Sequence, residues 1–178
     1  MKVLLVDDEP FILQGLSVLI DWAAEGCEIV KMASNGKEAL LYLEDHEADL
    51  VITDIKMPVM SGLELLEQIR GRQISDAFFI ILSGYNDFSY AQKAIRYACM
   101  DYLVKPVQKE ALLELIRKAK SSLAVTEQNA ENERRMQEMQ LKQYIIALLR
   151  GKQNEEELTA WGWRLTLHSY QYAEYFGY

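Results

Sequence analysis

Five polar residues stand at the ends of four apolar runs. Asp7 and Asp8 follow Lys2–Val6 (KVLLV), Asp54 follows 51–53 (VIT), Ser83 follows 77–82 (AFFIIL) and Lys105 follows 100–104 (MDYLV). Pro58, four positions after Asp54, forbids that strand from continuing. If the five met, the three carboxylates would repel one another, and burying them without a counter-charge would be costly. A divalent cation relieves this. Magnesium fits best, because it prefers oxygen ligands and keeps waters that a substrate phosphate can replace. The lysine supplies a second positive charge, and the serine hydroxyl can donate to an incoming oxygen. Such a set suits the stabilisation of a transferring phosphoryl group. No Cys or His is placed as a nucleophile, so the acceptor would be the Asp54 carboxylate. Taken singly, an aspartate at a strand end is most often a helix cap or a turn residue. The weight lies in five residues at five corresponding positions.

The elements that would gather them alternate along the chain. Pro10 suits the first turn of a helix, and Phe11, Ile12, Leu16, Leu19 and Ile20 give that helix an apolar stripe closing near Gly26. Residues 27–33 read as a second strand. Ser34-Asn35-Gly36 then opens a helix striped by Ala39, Leu40 and Leu43, ending near His46. Residues 49–53 form the strand that delivers Asp54, and Ser61-Gly62 opens a third helix with Leu63, Leu66 and Ile69 on one face. Residues 77–82 make the most apolar strand and must be central. A fourth helix over 87–99, a fifth strand over 100–104 and a fifth helix from near Gln108 complete the series. This alternation predicts an α/β fold with a five-stranded parallel sheet and helices on both faces. The flavodoxin-like order 2-1-3-4-5 is the commonest layout. In that order the crevice beyond strands 1 and 3 collects Asp7, Asp8 and Asp54, with Ser83 and Lys105 on the same rim.

Composition narrows the setting. The 178 residues carry a net charge of −8, unevenly spread, with 13 basic against 19 acidic residues over 1–120. Neither that part nor the remainder has a basic face suited to phosphate backbones, so the chain is a poor DNA binder by itself. No apolar run approaches a membrane span, and the opening MKVLLVDDEP turns acidic too soon for a signal peptide. Cytoplasm is the expected compartment. Cys27 and Cys99 lack metal-ligand spacing and read as small buried hydrophobes, while two distant histidines, His46 and His168, argue against a histidine metal centre.

Residues 1 to about 122 resemble the receiver domain of a two-component response regulator. The resemblance rests on Asp7-Asp8, Asp54 within D-I-K-M-P, Ser83-Gly84, and Lys105-Pro106 with Tyr102 three residues before the lysine. It implies phosphorylation of Asp54 by a sensor histidine kinase. It also implies Mg²⁺ held by Asp8, Asp54 and the Lys56 backbone carbonyl, with Asp7 acting largely through water. Ser83 and Lys105 would bind phosphoryl oxygens, Lys105-Pro106 would be cis, and Tyr102 would be a rotating aromatic switch. A physical route exists: Ser83 moves toward the added charge, and the vacated space admits the ring. The fourth helix, fifth strand and start of the fifth helix form the surface expected to change. Residues 83–97 (SGYNDFSYAQKAIRY) are similar to the same stretch in AraC-type regulators. Those continue through a helical linker to a pair of helix-turn-helix units, so this chain is expected to be the N-terminal part of a longer regulator. DNA would then be bound only through a C-terminal domain outside this chain. Lys56 and Tyr85, each two residues past a site residue, could hang over the site, and the bulky Tyr85 would limit attack by water.

The tail raises a second question. No Gly or Pro occurs over 107–150, and one helix over 108–150 would be about 65 Å long. Ile116, Ala119, Leu123, Thr126 and Ala130 keep a 4-3 spacing, and so do Leu141, Ile145 and Leu148, one residue out of phase. A coiled coil joining a homodimer is one expectation; a helix that breaks near 121–132 is the other. The expected division is a receiver over 1–122, a helical linker over 123–150 and the start of a further region over 151–178. There Trp161, Trp163, Leu165 and Leu167 alternate like a strand. Two other functions fit less well. A haloacid-dehalogenase-type phosphohydrolase would resemble D-x-D-x-T after the first strand, whereas here the acidic residues are adjacent and the acceptor follows strand 3. A stand-alone relay would not need the long helix.

Overall fold

A computed structural model describes residues 1–84, 97 and 99–149. Five parallel strands make one sheet in the order β2-β1-β3-β4-β5: β1 Lys2–Val6, β2 Glu28–Ala33, β3 Leu50–Asp54, β4 Phe78–Ser83 and β5 Asp101–Val104. Helices α1 (Pro10–Leu19), α2 (Gly36–Asp45) and α3 (Gly62–Gly71) connect them, and a 41-residue helix, Lys109–Leu149, follows β5. This is the expected flavodoxin-like topology with its long C-terminal helix. The predicted fourth helix, Tyr85 and most of the 83–97 run lie outside the described residues, as does the tail beyond 149. Among the described residues no helix is long and apolar enough to cross a membrane.

The central strands are mostly apolar because both of their faces are covered. Val3, Leu5, Leu50, Ile52, Ile80 and Leu82 point to one face, where Leu13 and Leu16 of α1 meet Leu112, Ile116 and Ala119 of the C-terminal helix. Leu4, Val6, Val51 and Phe79 point to the other, against Ala39, Leu40 and Leu43 of α2 and Leu65, Leu66 and Ile69 of α3. Strand periodicity therefore splits the core into two halves. Asn35 caps α2 by accepting the Glu38 N–H at 2.9 Å, and Ser61 with Glu64 forms a capping box at α3.

Two local expectations are corrected. Helix α1 stops at Leu19 and not near Gly26. The chain leaves the helix at Ile20, and Trp22 folds back so that its Nε1–H donates to the Leu16 carbonyl at 3.1 Å, taking up a helix-end acceptor. Phe11, read as part of the buried stripe, is 86 % exposed, and Leu13 takes the buried position. At the sheet edge, Leu4 of β1 pairs with Lys31 while Val3 pairs with Ile29, so Val30 is extra and β2 carries a bulge.

Residues Met1–Ala124 form one compact unit and Val125–Tyr178 a second. In the first, Ile116 and Ala119 are fully buried, so the leading members of the expected coiled-coil stripe belong to the core. In the second, Val125, Met136, Met139, Leu141, Ile145 and Ile146 are exposed.

Candidate functional site

The carboxyl edge of the sheet brings the acidic residues together. Strands β1 and β3 are neighbours with Val6 opposite Thr53, so Asp7 leaves β1 beside Asp54, the last residue of β3. One carboxylate oxygen from each of Asp7, Asp8 and Asp54 lies within 4.8 Å of the others. Asp7 is fully buried, Asp8 is exposed, and Asp54 lies between them in exposure. The Glu9 N–H donates to Asp7 Oδ1 at 2.9 Å, which fixes the turn into α1.

Lys105 reaches this cluster from the end of β5. Its Nζ donates to Asp7 Oδ2 at 2.7 Å and stands 3.0 Å from Asp54 Oδ1. Burial disfavours the ammonium, but the bonds to Asp7 and Asp54 outweigh this and hold its pKa above the usual lysine value. Burial pushes the Asp54 carboxyl up, with Lys105 pulling it back only in part, so it rests above the ordinary aspartate range. The Lys105-Pro106 peptide is cis, as the resemblance implies, and the Lys105 N–H donates to the Ser83 carbonyl at 2.6 Å.

The remaining predicted residues surround this centre. Ser83 is buried at the end of β4, and its hydroxyl donates to the Gly84 carbonyl at 2.9 Å rather than to a carboxylate. Tyr102 lies opposite Ile81 on β5, packed against the small cluster of Ile55, Leu63 and Ile81. Lys56 lines an open hollow beside the crevice with Asp8, Pro58, Glu64 and Tyr97.

Three carboxylates face one ammonium, leaving an excess of negative charge. A cluster of carboxylate oxygens this close would suit magnesium, which prefers oxygen ligands. The donors are all hard oxygens, and the residues fit that ion. A bound divalent cation would supply charge that helps an incoming phosphate approach the carboxylates.

Sequence reasoning missed the groups beneath Asp54. Thr53, buried on the α2–α3 side, donates from Oγ1 to the Asp54 carbonyl at 3.0 Å. A Cβ at Gly62 would overlap that same carbonyl oxygen, so only glycine allows α3 to start so close to the strand. A threonine inside an otherwise apolar strand was the available signal.

With this geometry in hand, the profile described as the response regulator receiver domain matches residues 3–117. Over 112 residues the chain is 39 % identical to a Bacillus subtilis (strain 168) protein named uncharacterized transcriptional regulatory protein YesN, covering 63 % of this chain and 30 % of that one. Over 115 residues it is 42 % identical to the transcriptional regulatory protein HptR of Staphylococcus aureus (strain N315), covering 65 % of this chain and 44 % of the relative. The chain thus spans less than half the length of both relatives. Among solved structures, it resembles the REC domain of AraT, a response regulator from Geobacillus stearothermophilus. That likeness has a TM-score of 0.65 and 39 % identity, over 71 % of this chain and 97 % of that one. It also resembles a two component transcriptional regulator AraC from Clostridium phytofermentans ISDg, with a TM-score of 0.63 and 28 % identity over 70 % and 95 % of the two chains. A matching profile over most of the compact unit, joined to a parallel sheet with acidic residues at its carboxyl edge, makes this chain a member of the response regulator receiver domain family of two-component systems.

Proposed function

We propose that Asp54 is the phosphoacceptor of a regulatory switch driven by a sensor histidine kinase. The observation that carries the reading is Lys105, whose ammonium touches both Asp7 and Asp54 while Asp8 stands alongside. An Asp54 carboxylate oxygen attacks the phosphorus of a phosphohistidine. The P–N bond breaks, the imidazole nitrogen keeps the electron pair and takes up a proton, and an acyl phosphate remains on Asp54. Lys105 transfers its bonds to phosphoryl oxygens, and Ser83 turns its hydroxyl from Gly84 toward them. Asp8, Asp54 and the Lys56 carbonyl would hold Mg²⁺, with Asp7 acting through water.

The movement of Ser83 opens space toward which the Tyr102 ring turns. β5, the start of the C-terminal helix and the helix expected over 87–99 then form the changing surface. Asp101 beside Tyr102 is bonded to Lys118 at 2.6 Å, which couples β5 to that helix. The exposed apolar residues between Val125 and Ile146 suit a homodimer contact. In a longer AraC-type protein the dimer would place C-terminal helix-turn-helix units on DNA and control transcription in the cytoplasm. The division into a receiver over 1–122, a linker over 123–150 and a further region from 151 belongs to this reading.

Acetyl phosphate with Mg²⁺ tests it. One alkali-labile phosphoryl group per chain is expected on the wild type and none on Asp54→Asn. Repeated turnover of a generic phosphate ester without a labelled Asp54 would favour a phosphohydrolase instead.

A further inference from the structure

The loop between Asp54 and α3 holds the least relaxed backbone near the site. Val59 is β-branched, has φ of 69° and is 83 % exposed, so no burial offsets its left-handed conformation. The Met60 N–H donates to the Pro58 carbonyl at 2.7 Å. That i→i+2 closure makes Val59 the centre of the rare, positive-φ form of γ-turn. Such strain persists only where the surroundings over-determine it.

Here the surroundings are two glycines at two helix starts. The Gly36 N–H, first in α2, donates to the Met60 carbonyl at 3.0 Å. A Cβ at Gly36 would lie 2.7 Å from that oxygen and 2.8 Å from Met60 Cγ, so the contact has no room to spare. At the other end, the Gly62 N–H donates to the Ile55 carbonyl at 3.0 Å. Residues 56–59 are therefore clamped between α2 and α3, and Lys56 lies inside the clamp.

We propose that Gly36 is a positioning residue: acting through Met60 and the Val59 turn, it fixes the course of the loop after Asp54 and so sets the divalent-cation affinity of the crevice. The inference rests on the reading of the crevice as a cation-assisted phosphoacceptor site. It gives α2, which contributes no ligand, an influence on how tightly the cation is held. The strain at Val59 is then a cost accepted for a loop held in one course before the cation arrives.

Calorimetric titration of the 178-residue chain with Mg²⁺ tests this, alongside thermal midpoints and the rate of Asp54 labelling by acetyl phosphate at saturating Mg²⁺. Val59→Gly relaxes the turn, so its midpoint should hold or rise while its Mg²⁺ Kd increases about fivefold or more. Gly36→Ala should weaken Mg²⁺ in the same direction by pushing on Met60. In both, labelling at saturating Mg²⁺ should stay within about twofold of wild type, which a merely structural role would not preserve. A folded Val59→Gly with Mg²⁺ affinity within about twofold of wild type overturns the proposal, even if Gly36→Ala fails to fold. A labelling rate that falls at saturating Mg²⁺ also overturns it. Wild type that binds no Mg²⁺ and takes no label on Asp54 would instead sink the underlying reading together with the proposal.

Discussion

Replacing Lys105 with methionine removes an ammonium that contacts two carboxylates at once. Nζ lies 2.7 Å from Asp7 and 3.0 Å from Asp54, and the side chains of Lys105, Asp7 and Asp54 are 19 %, 0 % and 13 % exposed. At an effective dielectric constant of about 20, each contact carries roughly 6 kcal/mol of gross attraction. Desolvation of the charges consumes most of this, and breaking a buried pair costs about 3–5 kcal/mol. Lys105 keeps some access to water, so about 3 kcal/mol is expected. With a urea slope of roughly 2 kcal/mol per molar, the midpoint should fall by about 1.5 M at neutral pH without divalent cations. The pH dependence has a definite sign. The folded Asp54 pKa lies above its ordinary value, chiefly through burial. An acid raised in this way contributes stability below its unfolded pKa and loses it as pH rises through the folded one. Removing the ammonium raises the folded value further, so the deficit of Lys105→Met should widen as pH rises above the ordinary aspartate range and narrow on acidification. Urea denaturation followed by circular dichroism at several pH values measures this. A neutral-pH midpoint within about 0.3 M of wild type would refute the claim that Lys105 compensates buried carboxylate charge.

Gly62→Ala forces a Cβ into the Asp54 carbonyl, and a loss of about 2–3 kcal/mol in urea denaturation is expected together with slower Asp54 labelling. Trp22→Phe removes the Nε1 bond to the Leu16 carbonyl and some buried volume, for a loss of about 1–2 kcal/mol by the same assay. Glu38, bonded first by Lys31 and then by Ser34, should titrate at about 2 by NMR, and Lys31→Gln should move it toward the ordinary range. Its contribution to stability is complete above the unfolded carboxylate pKa of about 4.3 and is lost as pH falls toward the folded value. Beryllofluoride, a phosphoryl mimic, should change the sedimentation of wild type and leave Asp54→Asn unchanged; equal behaviour of the two would end the switched-dimer reading for this chain.

The sheet and the acidic cluster were legible because they rest on long-range pattern. Runs such as KVLLV and AFFIIL, alternating with amphipathic helices, read as buried parallel strands, and a polar residue ending each run then emerges at the same edge. The cis peptide and the interest of Tyr102 came through the resemblance, since local sequence carries no signal for either. Contacts that depend on tertiary placement were not legible. The end of α1 turns on where Trp22 finds an acceptor, and the exposure of Phe11 on how α1 is rotated against the sheet. Gly36 read only as the opening of a helix, because its closeness to Met60 joins residues 24 positions apart. Ile116 and Ala119 kept a heptad spacing, yet the core of the compact unit claims them. A 4-3 pattern does not say which surface will cover it.

The bulge at Val30 has a consequence for how copies of this chain can meet. An outer strand with its amides in regular ladder order is a template for another chain, and uncontrolled growth of sheets begins there. In β2 the ladder is broken between the pairs Val3–Ile29 and Leu4–Lys31, and Glu28 at its start is exposed. Backbone templating is blunted along that border. Association on that side must then be written in side chains, which single substitutions can strengthen, weaken or redirect.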